Sequence, residues 1–85
     1  MGRKEKLIRR FQQLPKDFTY EEMVTLLGYF DYVATNKGAT SGSRVSFRNL
    51  ATGASINIHR PHPGSIMKEW MMKQVYLHLS AKGLI

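Results

Sequence analysis

His59 and His62 flank the rigid Arg60-Pro61 step. Histidine exchanges protons near neutral pH, so two of them this close invite an acid–base reading. With Arg44 and the glycine–serine loop ahead of it, they make a set able to cut a phosphodiester beside a 2′-hydroxyl. One group takes the hydroxyl proton, another protonates the leaving oxygen, and arginine stabilises the phosphorane charge. The same side chains also suit phosphate binding or turn stabilisation without any reaction. His78, late in the last predicted helix, reads as a surface or structural residue. No metal or cofactor is expected. The chain has no cysteine, and His59 and His62 lack nearby carboxylates. Gly38 and Gly42 do not match a nucleotide-binding fingerprint. No nucleophile elbow or paired acid supports Ser–His–Asp catalysis.

Charge says what such a set would meet. In 85 residues, Lys and Arg number 13 and Asp and Glu 6, a formal charge of +7. A body this small and basic favours polyanions, namely nucleic acid, an acidic membrane or an acidic protein. Its acids are Glu5, Asp17, Glu21, Glu22, Asp31 and Glu69, leaving residues 32–68 with none. Lys37, Arg44, Arg48, Arg60 and Lys68 are therefore unopposed in sequence across a region that reads as sheet and loop. A membrane-surface protein would concentrate such charge on one amphipathic helix. No apolar run approaches the roughly 20 residues of a membrane span, and residues 1–10 lack the apolar core of a signal peptide. With no cysteine to staple, the expected location is cytoplasmic.

The elements that must position these residues follow from periodicity. The length allows one domain with a thin core, and 42% hydrophobic residues with nine aromatics argue against disorder. Residues 3–13 carry Leu7, Ile8 and Phe11 at helical spacing, and Pro15 stops the helix. This basic helix has three readings: contact with phosphates, closure of a homodimer, or plain packing. Thr19 and Glu22 form a capping box, with Phe18 and Met23 placed as a hydrophobic staple. They open a second helix with Met23, Leu26, Leu27 and Phe30 inward. Gly28 inside it suggests close packing. Asp31 suits a left-handed helix end.

Residues 32–36 read as a first strand. In residues 44–49, Val45 and Phe47 point one way and Arg44, Ser46 and Arg48 the other. Residues 55–59 alternate likewise, with Ile56 and Ile58 opposite Ser55, Asn57 and His59. A two-residue turn at Thr52-Gly53 would set Phe47 against Ile58, Arg48 against Asn57 and Ser46 against His59, with Arg44 a diagonal neighbour of His59. Pro61 and Pro63 exclude strand or helix there. A last helix over about 68–82 faces Met72, Val75, Tyr76 and Leu79 inward and ends at Gly83, with Leu84 in hydrophobic contact. The expected class is α+β, order α-α-β-β-β-α, an antiparallel three-stranded sheet with helices on one face.

The stretch LPKDFTYEEMVTLLGYFDYVATNKGATSGSRVSFRN, then INIHRPHPG, then a helix ending in KGLI, resembles the HicA toxins of bacterial type II toxin–antitoxin systems. The resemblance covers about residues 14–85 and rests on the order and spacing of short motifs. It implies a double-stranded-RNA-binding-like fold, cleavage of messenger RNA and neutralisation by a HicB-like antitoxin protein. It also divides the chain into a basic helical extension, 1–15, and a HicA-like domain, 16–85. The family's catalytic histidine lies in a Gly-Ser-His segment; the matching residues are Gly42-Ser43-Arg44, so that role does not pass to Arg44. His62-Pro63-Gly64 does match the family's pattern before the last helix. Two readings follow. In one, His59 or His62 supplies the base of an endoribonuclease and Arg44 contacts phosphate. In the other, the domain binds RNA without cutting it. The expected RNA-contacting residues are Lys37, Ser43, Arg44, Ser46, Arg48, Asn57, Arg60 and Lys68. A third class, a protein whose basic face binds only an acidic partner, is distinguished by having no affinity for RNA.

Overall fold

Two chemically different sheet faces organise the molecule. The computed structural model describes residues 2–35, 44–61 and 64–85. Its order is α1 (Arg3–Gln12), α2 (Tyr20–Tyr29), β1 (Tyr32–Ala34), β2 (Arg44–Asn49), β3 (Ser55–His59) and α3 (Glu69–Ala81). The strands pair antiparallel in the order β1-β2-β3. Tyr32, Val45, Phe47 and Ile58 point inward and join Phe11, Phe18, Met23, Leu26, Leu27, Met71, Met72, Val75 and Leu79 in one core. The fold class and element order match the sequence expectation.

Local chemistry fixes the helix ends. Thr19 Oγ1 accepts from the Glu22 N–H at 3.1 Å, and Glu22 Oε1 accepts from the Thr19 N–H at 2.9 Å. Two orphan donors at the start of α2 are thereby satisfied reciprocally. Asp31 takes the left-handed conformation, φ 68°. At the end of α3 the Gly83 N–H donates to Ser80 O and the Leu84 N–H to Leu79 O, with Gly83 at φ 73°. This crossed pair is the Schellman arrangement, which needs a left-handed residue at that point.

α1 is tied into this body. Phe11 is fully buried, its ring 5.6 Å from Phe18 and 6.1 Å from Tyr76. Arg10 folds over the Phe18 ring and reaches both Glu22 oxygens, Nε–Oε2 at 3.0 Å, and Asp17 Oδ1 at 3.1 Å. The arginine thus clamps α1 onto the carboxylate that caps α2. The pairing holds Glu22 below the usual carboxylate range and raises Arg10 further. Of the readings open for this helix, packing is the one its contacts display.

Two expectations are corrected. Phe47 lies opposite Ile56, not Ile58; Val45 faces Ile58, Ser46 faces Asn57, Arg48 faces Ser55 and Arg44 faces His59. The cause is Asn49. Its carboxamide is buried, with Oδ1 accepting from the Ala51 and Thr52 N–H groups and Nδ2 donating to Phe30 O, all within 2.9 Å. This builds a longer loop over residues 50–53, closed by Asn49 N–H to Ala54 O, with Gly53 left-handed at φ 79°. The shift is two residues, so every side chain keeps its face. Gly28 is the second correction: an added Cβ would meet no atom within 4 Å, so close packing does not explain it.

Two stability predictions follow. Asn49→Ala strands three backbone groups and should cost about 2–3 kcal/mol in urea unfolding; an unchanged midpoint would remove Asn49 as the register determinant. Gly28→Ala, by contrast, should raise stability by about 0.5–1 kcal/mol, since the helix interior has room for the methyl group. A lowered midpoint would contradict the open environment.

Candidate nucleic-acid interface

The outer face of the sheet carries Arg44, Ser46 and Arg48 from β2, and Ser55, Asn57 and His59 from β3. These are the side chains that strand alternation turns away from the core. The corrected register makes two functional pairs direct neighbours. Arg44 lies straight across from His59. Ser46 Oγ donates to Asn57 Oδ1 at 2.8 Å, so the amide nitrogen of Asn57 remains a donor on this face.

None of the strand residues that form this surface is a carboxylate, and both ion pairs among the described residues are made by Arg10, with Asp17 and Glu22. Glu69, nearest in sequence, lines a groove with Leu14, Pro15, Lys16, Met67 and Met72. Arg44 and Arg48 are therefore uncompensated cations on a pleated surface, an arrangement that attracts phosphate oxygens.

The first turn of α3 closes one end of the face. The His59 N–H points away from β2 and meets Met71 Sδ at 3.4 Å. The Trp70 ring stands edge-on to the His59 imidazole, centroids 5.2 Å apart at 62°. Lys68, exposed, is the N-cap residue of the same helix. From there α3 runs back along β3, so that Ile56, Asn57, Gln74 and His78 line one shallow recess.

Of the residues expected to act on RNA, the fold thus gathers Arg44, Ser46, Arg48, Asn57 and His59, with Lys68 following in the turn beside His59. Arg60 stands apart: its guanidinium lies over the Tyr20 ring, 5.2 Å from the centroid, against the start of α2. Lys37, Ser43 and His62 lie outside the described residues. Trp70 was missed by sequence reasoning, although a signal existed: a large aromatic off the apolar stripe of its helix. Among the described residues no group of three His, Asp or Glu stands close enough to hold a metal ion, and no helix is long and apolar enough to cross a membrane.

His78 has the structural role expected of it. Its Nε2 shares a 2.7 Å hydrogen bond with the Tyr32 hydroxyl, edge-to-face with that ring. Burial, with a smaller contribution from Lys82, pushes its pKa below the usual histidine value. The folded ring therefore resists a proton that the unfolded chain accepts. Stability from this site should be present at neutral pH and fall as pH drops below about 6.5. Thermal melts of the wild type and His78→Gln between about pH 7 and 5 test this. The variant should melt lower at neutral pH but with a flatter pH slope; equal slopes would reject the assignment.

No protein-family model, no curated protein and no solved structure matches this chain.

Proposed function

We propose that this chain is the HicA-like toxin component of a type II toxin–antitoxin pair, acting on messenger RNA through the outer face of its sheet. The supporting observation is the direct Arg44–His59 pair on a face whose strand residues include no carboxylate. RNA phosphates would lie along Arg44 and Arg48, with Asn57 and Lys68 donating hydrogen bonds and Ser46 holding the Asn57 amide in place. His59 takes the 2′-hydroxyl proton, and the freed oxygen attacks the adjacent phosphorus. The bond to the 5′-oxygen breaks, leaving a 2′,3′-cyclic phosphate and a 5′-hydroxyl. Arg44 balances the charge that grows on the phosphorane. The acid that protonates the leaving oxygen is assigned to His62 on sequence grounds. A double-stranded-RNA-binding-like topology belongs to the same proposal, as does a HicB-like antitoxin that covers the basic face.

A second reading is a non-catalytic RNA-binding domain. It is favoured by one feature: His59 makes no hydrogen bond or ion pair to a carboxylate or second histidine among the described residues. Its neighbours are Arg44, Trp70 and Met71, which bind and orient but do not form an acid–base couple.

Incubation of the purified protein with messenger RNA separates the two readings. Cleavage should fall at least about 100-fold in His59→Ala, the lower range for removing a general base, and drop less in Arg44→Ala. Binding should weaken steeply with salt, and the slope should flatten in Arg44→Ala as one phosphate contact is lost. RNA cut equally by wild type and His59→Ala would dismiss His59 as the base. RNA bound but recovered intact would select the binding-only domain.

A further inference from the structure

Trp70 is the only tryptophan in the chain, and it is 47% exposed in the first turn of α3. That helix buries Met71, Met72, Val75 and Leu79. Trp70 lies off this stripe, so the core does not account for it. Its orientation is nonetheless set. The ring stands edge-on to His59 at 5.2 Å, and the backbone of His59 is bonded to the Met71 sulfur. An exposed indole fixed in this way leaves a flat apolar surface at the end of a cationic sheet face. Across β3 stand Arg44, opposite His59, and Ser46, opposite Asn57.

We infer that Trp70, with His59 edge-to-face beside it, is a stacking platform for an unpaired nucleobase, and that the RNA bound on this face is single-stranded. The inference rests on the RNA reading above and specifies its substrate. The ring faces of bases in duplex RNA are covered by their neighbours, and an A-form helix offers a protein mainly riboses, phosphates and shallow base edges. A protruding indole beside arginines has no partner in such a helix. A single strand supplies both parts: a base with a free π-face for Trp70, and flanking phosphates for Arg44 and Lys68. The Asn57 amide, held by Ser46 through its oxygen, can donate from its nitrogen to the edge or phosphate of the neighbouring nucleotide.

A single tryptophan makes its own fluorescence the readout. The full chain is titrated at low salt with an eight-nucleotide single-stranded oligouridine and with an RNA duplex of equal length. The single strand should quench Trp70 emission to about half or less, in step with binding measured by anisotropy of a labelled oligonucleotide. Trp70→Ala should weaken single-strand binding about 5- to 150-fold, the range for losing one base–aromatic stack. Trp70→Phe should retain most of the affinity. Far-UV circular dichroism checks that both variants are folded. Unchanged affinity in folded Trp70→Ala, or equal quenching and affinity with duplex, would overturn the platform while leaving RNA binding intact. Binding of neither RNA would overturn the platform and the RNA function together.

Discussion

The buried carboxamide of Asn49 is the interaction on which the arrangement of the outer sheet face depends. It occupies an inward position in β2, where Val45 and Phe47 place apolar groups. A polar group there must find partners, and it finds three in backbone: Phe30 O at the end of α2, and the Ala51 and Thr52 N–H groups in the following loop. The Leu50 N–H adds a bond to Asp31 O. One side chain thus joins the α2–β1 corner to the β2–β3 loop and fixes the loop's length. Loop length sets register, and register sets Arg44 against His59. The pairing across the polar face is therefore set by a residue that takes no part in it.

Much of this architecture was legible in the sequence because it depends on contacts within a few residues. The capping box at Thr19 and Glu22, the left-handed Asp31, the Schellman end at Gly83 and the two-faced alternation of β2 and β3 are of this kind. The register was not, because a two-residue turn and the Asn49 loop give the same face assignment and differ only in a side-chain-to-backbone bond. Alternation is blind to a shift of two. The candidate site was half legible. Parity placed Arg44, Ser46, Arg48, Asn57 and His59 together, whereas Arg60 went elsewhere because its guanidinium rests on Tyr20, far away in sequence. Trp70 joins the site through α3, and no local pattern in β3 announces that approach.

The charge distribution has a structural logic as well. Asp17 and Glu22 are consumed by Arg10 at the junction of α1 and α2. Glu21 lies in the first turn of α2, where a negative side chain meets the positive end of the helix dipole. The acids thus serve the helical side of the molecule. The sheet's outer face is left to arginine, imidazole, amide and hydroxyl groups, while further cations, among them Arg3, Lys4, Lys6 and Arg9 of α1, lie on the helices.

The lead-ins to α2 and α3 are laced together. Thr19 and Ile66 form an isolated antiparallel bridge, with Tyr20 N–H to Ser65 O and Met67 N–H to Phe18 O, both at 2.7 Å. These residues are about 47 apart in the chain, and the entire sheet lies between them. The hairpin and the α2–β1 corner can form by local search, but this seam has to bring the two ends of that long stretch together, at an entropic cost that local contacts do not incur. Completion of the fold is thus a ring closure around the sheet, and the first turn of α3 is held from two sides, by this seam and by the His59–Met71 contact at the end of β3.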